Sequence, residues 1–211
     1  MDWRAGLRKV HSSEGAFSLA GLFFVGLAFV FDIAQHLAAV AAEPGHEHDG
    51  GDLFLRVNIP AMGIAFLAFG MGMYLVEHHR NRLYLTAFVA GLLILTDGVA
   101  HLFAISDHVD VPLHAAVFTV LAPLQIAGGL LFPFLPRKWD RYWLVLTVAL
   151  IVVYGISRRI AVPPLWDLEE VEPVGVFSKI IELLTLFPLY SLVRGTPSAS
   201  PPATMAGAAE P

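Results

Sequence analysis

Six long apolar segments constrain the fold of this 211-residue chain more than any other feature of its sequence. A helix needs about 20 largely apolar residues to cross the hydrocarbon core of a bilayer. Segments of about that length lie near Ala16–Ala41, Leu53–Val76, Leu83–Ile105, Leu113–Leu135, Tyr142–Ile160 and Val176–Val193. The sequence therefore predicts an all-α, polytopic membrane protein with about six transmembrane helices in contact with the lipid bilayer.

The composition agrees with a membrane protein and excludes several other classes. Of all residues 56% are hydrophobic and only 15% are charged, which is too apolar for a soluble domain of this size. The formal net charge is −5, so nothing indicates nucleic-acid binding. The absence of cysteine removes disulfides, thiolate metal sites, iron–sulfur clusters and c-type haem attachment. Phosphate-binding, dinucleotide-binding and nucleophile-elbow motifs are also missing, which argues against a stand-alone hydrolase and leaves open whether the protein is an enzyme.

The positions of lysine and arginine predict the orientation in the membrane. With the N-terminus in the cytoplasm, nine of the 13 basic residues lie on the cytoplasmic side and three on the outer side. We therefore expect a protein of the cytoplasmic membrane, with a cytoplasmic N-terminus at residues 1–15 and a cytoplasmic tail at 194–211. The tail is rich in Pro, Ala and Ser and is predicted to be disordered. A cleaved secretory signal in the first segment is the alternative, but that segment is long for a signal and contains Asp32 and His36.

An internal repeat relates the first and third predicted helices. The pattern Asp-x-x-x-His-Leu begins at Asp32 and again at Asp97, 65 residues later, so His36 and His101 also correspond. The order of the predicted spans makes the two hairpins parallel repeats. The predicted units are residues 16–76 and 83–135 for two parallel helical hairpins and 142–193 for a peripheral helix pair.

The repeated pattern has the chemistry of a metal site. Residues four apart on a helix share a face, so each Asp–His pair can hydrogen-bond internally or bind one ion. Ionisable groups inside a membrane are costly and usually functional, and carboxylates with imidazoles suit copper(II), zinc or iron(II). The predicted ligands, all near the extracytoplasmic face, are Asp97, His101 and His114, with Asp32, His36 and His48 completing the site or forming a second one. The competing interpretation is that the Asp and His of each pair only hydrogen-bond each other within the core and bind no ion.

The spacing Asp97-x3-His101-x12-His114 resembles the metal-binding pattern in the C subunit of copper membrane monooxygenases, the particulate methane and ammonia monooxygenase group. The resemblance is confined to this stretch. It implies that these three residues bind copper, which makes copper the expected metal ahead of zinc or iron.

Four functional hypotheses are consistent with these patterns. The first is a metal-binding protein that is a subunit of a membrane redox or oxidase/monooxygenase complex, together with other membrane subunits. The second is a b-type cytochrome-like haem or quinol subunit, with His36 and His101 as axial ligands of haem b. The third is a proton or metal-ion transporter, and the fourth is a purely structural subunit. Glu182, in the sixth helix, could pair with Lys179 or with Arg158.

Overall fold

The computed structural model describes residues 13–42, 54–78, 81–109, 111–160 and 173–195, and these are almost wholly helical. Six of the described helices are long and apolar enough to cross a membrane, which confirms the predicted polytopic bundle. They are α1 Ser13–Ala42, α2 Ile59–His78, α3 Arg82–Asp107, α4 Pro112–Leu131, α5 Trp139–Ser157 and α6 Pro173–Gly195. A π-helical turn at Phe54–Asn58 precedes α2, and a 3₁₀ turn at Phe132–Phe134 follows α4. The predictions for residues 1–12, for His48 and for residues 196–211 lie outside the described residues.

Local sequence determines where α3 and α4 meet. The side chain of Asn81 accepts a hydrogen bond from the backbone N–H of Leu83 at 3.0 Å and so caps the start of α3, a position that favours Asn. At the other end, the N–H of His108 turns back to the carbonyl of Ile105 and closes the helix. Pro112 then opens α4, where its missing N–H removes no helical hydrogen bond. The short connection makes α3 and α4 packing neighbours.

α3 is the central helix of the bundle. Within its apolar stretch 61% of the residues are buried, against 22 to 33% in the other five spans. It packs against α4 and α6 and more weakly against α1 and α2. Leu189 and Leu192 of α6 join the core beside Phe132 and Trp143. Large apolar side chains such as Phe187 face outward, as expected for a surface in contact with lipid.

Glycines allow the backbones of neighbouring helices to touch. A Cβ atom on Gly91 of α3 would lie 2.5 Å from the carbonyl oxygen of Gly129 on α4. A Cβ atom on Gly129 would lie at the same distance from the carbonyl oxygen of Gly91. A Cβ atom on Gly21 of α1 would lie 2.5 Å from the carbonyl oxygen of Gly63 on α2. Small residues permit this close approach of membrane helices.

Candidate metal centre

Asp97 and His101 lie one turn apart on α3 and are buried, with 2% and 5% of their surface exposed. Nδ1 of His101 is 3.7 Å from Oδ2 of Asp97, which is within range of an ion pair but too long for a hydrogen bond. The two residues therefore belong to one cluster, and a third side chain links them.

Gln125 of α4 is that link. Its Nε2 donates to Oδ2 of Asp97 at 2.6 Å, and its Oε1 lies 2.6 Å from Nδ1 of His101. Because a carboxylate only accepts hydrogen bonds, the amide nitrogen must face Asp97 and the amide oxygen must face the imidazole. His101 therefore carries its proton on Nδ1 and has the lone pair on Nε2.

α6 supplies the other side of the cluster. The hydroxyl of Ser178 donates to Oδ1 of Asp97 at 2.6 Å and lies 3.4 Å from Nε2 of His101. Serine has one hydroxyl hydrogen, and Ser178 donates it to Asp97 in the shorter contact. Nε2 of His101 therefore keeps its lone pair free of a hydrogen bond from Ser178. Glu182 is 1% exposed, and its Oε1 accepts from the ammonium of Lys179. Its Oε2 is buried and has no hydrogen-bond partner among the described residues.

Three side chains of this cluster can present ligand atoms to one point. Asp97, His101 and Glu182 each offer one such atom within 4.8 Å of the other two. Two carboxylate charges at that separation repel each other by on the order of 3 kcal/mol at an effective dielectric constant of about 20. Lys179 compensates one of the two charges, so a neutral imidazole leaves the cluster net negative. A divalent cation between the three atoms would offset that charge.

A cavity of about 270 Å³ adjoins the cluster between α3, α4, α5 and α6. Most of its lining is apolar, as in Leu121 and Val153. Its polar lining comprises His101, His108, His114, Tyr154, Ser157, Arg158, Ser178 and Lys179. Because His101 and His108 are seven residues apart on α3, the cavity extends about 10 Å along that helix toward the end at Asp107. It joins the buried cluster to the region where α3 ends and α4 begins.

His114 lies beside His108, with ring centres 5.4 Å apart. The ring of Phe118 contacts both His101 and His108, at 5.4 and 5.3 Å between ring centres. His114 shares the cavity with His101, but Glu182 is the residue brought within ligand distance of Asp97 and His101.

Asp32 belongs to a different cluster, in which Arg56 binds two carboxylates. Nε and Nη2 of Arg56 donate to the two oxygens of Asp32 at 2.6 and 3.2 Å, and Nη1 donates to Asp107 at 2.6 Å. Ser106 accepts from Nη2 of Arg56 at 3.0 Å, and its hydroxyl also contacts Asp32. We call these four residues the Arg56 clasp. It ties α1 and the turn before α2 to the end of α3.

The two repeated Asp–His pairs thus have different surroundings. Asp32 contacts a guanidinium and a hydroxyl, whereas Asp97 contacts an amide and a hydroxyl. His36, half-buried one turn after Asp32, does not line the cavity. His48, the last predicted ligand, lies outside the described residues.

Sequence reasoning did not place Gln125, Ser178 and Glu182 in the site. A signal for two of them exists, since Gln125 is the one amide in α4 and Glu182 the one acid in α6. A polar side chain within an apolar span usually faces the protein interior, which would have marked both as members of a buried cluster. Their partners depend on how the helices are rotated against each other, and the sequence does not state that.

Comparisons of the chain with models of known protein families, with characterised proteins and with solved structures found no match.

Proposed function

We propose that this membrane-spanning protein binds a divalent transition-metal ion through Asp97, His101 and Glu182, a set that we call the inner site. One observation carries the proposal: three buried side chains from two helices offer ligand atoms that all lie within 4.8 Å of one another. In a membrane interior such a concentration of ionisable groups is costly unless it binds something.

The hydrogen bonds around the inner site leave suitable atoms for the ion. Among the described residues of the inner site, the lone pair of His101 Nε2 and the Oε2 atom of Glu182 are not used by a stronger hydrogen bond. Gln125 accepts from Nδ1 of His101 and so orients the imidazole, as the outer partners of metal-bound histidines commonly do. Its other hydrogen bond fixes Asp97 beside that ring.

The donor set favours zinc or iron(II), with copper next. Two carboxylates and one imidazole form an oxygen-rich set, and among the described residues neither a thiolate nor a thioether lines the cavity. The resemblance to copper monooxygenase subunits would assign His114 as the third ligand, and copper with it. Our proposal uses Glu182 in that position, so the two assignments differ in one residue that mutation can test.

The distribution of basic residues supports a protein of the cytoplasmic membrane with both termini in the cytoplasm. In that orientation Asp97, ten residues before the end of α3, lies about 15 Å below the outer end of the helix. A buried ion at this depth suits electron transfer or oxygen activation. We therefore propose that the protein is a subunit of a larger membrane redox complex whose other subunits cover part of its apolar surface.

Metal content of the purified full-length chain tests the proposal. Equilibrium dialysis against zinc and iron(II), followed by elemental analysis, should show tight binding by the natural protein and loss of one ion in Asp97→Asn, His101→Phe and Glu182→Gln. Asp140→Asn is the matched control, because Asp140 is also a fully buried carboxylate but lies at the start of α5. Equal metal content in all five proteins would leave the cluster as a metal-free polar core and refute the proposal.

The haem alternative is tested on the same samples. A haem held by His36 and His101 needs both imidazoles on one cofactor, whereas only His101 lines the cavity. Reduced-haem absorption bands in the purified protein would favour that alternative over the inner site.

A further inference from the structure

We propose a second metal site, formed by His108 and His114 at the end of the cavity near Asp107, which captures the ion and passes it to the inner site. Capture of an ion by this outer site does not depend on the inner site. The delivery function rests on the proposed function, since it requires an inner site to receive the ion.

The end of α3 prepares His108 as a ligand. Its backbone N–H bonds to the carbonyl of Ile105, and its Nδ1 lies 2.9 Å from the carbonyl oxygen of Ala104. A carbonyl oxygen only accepts, so Nδ1 carries the proton and Nε2 has the lone pair that a metal needs. The same hydrogen bond fixes the orientation of the ring, which reduces the entropy lost when an ion binds.

The spacing of the two rings fits a shared ion. Two imidazoles bound to one tetrahedral zinc, with Zn–N distances of about 2.0–2.1 Å, have ring centres about 5 Å apart. The ring centres of His108 and His114 are 5.4 Å apart, with an angle of 61° between their planes. Both residues are only half-buried, so water or a further ligand can complete the coordination.

The cavity supplies the path from the outer site to the inner one. His101, His108 and His114 all line it, and the ring of Phe118 contacts both His101 and His108. The two sites lie about 10 Å apart along α3, so one ion cannot bridge them. Transfer therefore requires the ion to move past the edge of Phe118 within a single cavity.

Zinc stoichiometry and the rate of zinc uptake test this proposal in the full-length protein. We would measure the natural chain, His108→Ala, His114→Ala and His101→Phe in detergent, with zinc supplied from a chromophoric chelator. His78→Ala is the matched control, because Nδ1 of His78 likewise bonds to the carbonyl four residues earlier, at 3.0 Å, but lies on α2. Each protein is also measured with His46→Ala and His48→Ala, so that zinc bound by these two histidines, which lie between α1 and α2 in the sequence, is subtracted.

We expect two zinc ions per natural chain and one ion in each outer-site variant, with slower filling of the inner site. His101→Phe should keep one ion, and His78→Ala should match the natural chain. If the natural chain holds one ion that is lost in His108→Ala and kept in His101→Phe, the outer site stands and the inner site fails. Equal stoichiometry and equal uptake rates in the natural, His108→Ala and His114→Ala proteins would overturn the proposal.

Discussion

Replacing Arg56 with methionine tests whether the Arg56 clasp holds three segments of the bundle together. Arg56 donates to both oxygens of Asp32, whose side chain is 2% exposed, and to Asp107, whose side chain is 20% exposed. Without the guanidinium, the Asp107 carboxylate can be hydrated, but the Asp32 carboxylate stays buried and uncompensated. Removing one partner of such a buried pair costs about 3–5 kcal/mol in the free energy of unfolding.

A double-mutant cycle separates this charge effect from simple loss of packing. Asp32→Asn alone should cost about 1–3 kcal/mol, because Arg56 keeps its bond to Asp107 and loses only part of its hydrogen bonding. The double variant Arg56→Met with Asp32→Asn should be more stable than Arg56→Met alone, since no buried charge is left without a partner.

The assay is reversible unfolding in mixed micelles with increasing sodium dodecyl sulfate, followed by circular dichroism. Unfolding of Arg56→Met at the same detergent fraction as the natural protein would show that the Arg56 clasp does not stabilise the bundle. A double variant less stable than Arg56→Met would show that the orphaned carboxylate is not the cause of the loss.

Three further predictions concern helix contact and the inner site. Gly129→Ala should lower the free energy of unfolding by about 1–3 kcal/mol, because the added Cβ would lie 2.5 Å from a backbone oxygen of α3. Gly155→Ala, with open space at its Cβ, should be neutral or stabilising by up to about 1 kcal/mol in the same unfolding assay, and equal losses in the two variants would contradict the packing argument. Gln125→Leu should weaken zinc binding by about 10- to 100-fold in equilibrium dialysis, since the imidazole and carboxylate lose their common partner, and an unchanged affinity would show that Gln125 does not position them. Lys179→Met should strengthen zinc binding by roughly tenfold or more, about 1.4 kcal/mol, because the ion no longer competes with an ammonium for Glu182; a weaker affinity would contradict the proposed ligand set.

The spans could be predicted from the sequence because the thickness of a bilayer sets the length of an apolar helix. The predicted segments agree with α1 to α6 to within a few residues at most ends. The pairing of Asp97 with His101 was also predictable, since it depends only on the rise and turn of one helix.

What the sequence did not reveal are the contacts between helices. Gln125 and Glu182 reach Asp97 because α4 and α6 present those faces to α3, and a rotation of either helix would turn them away. Asp32 begins the same local pattern, but its carboxylate accepts hydrogen bonds from Arg56, which lies in the π-helical turn before α2. The same sequence pattern on two helices therefore has different partners, because the packing between helices decides the partners and the spacing within one helix does not.

X-ray absorption at the zinc edge, measured on the full-length protein with His108→Ala, His114→Ala, His46→Ala and His48→Ala, tests the central claim most directly. These substitutions remove the outer imidazoles, so the spectrum reports the inner site. Our account predicts one bound zinc with a single imidazole and otherwise oxygen ligands, from Asp97, His101 and Glu182. Two or more imidazoles on the zinc, or no zinc bound at all, would contradict it.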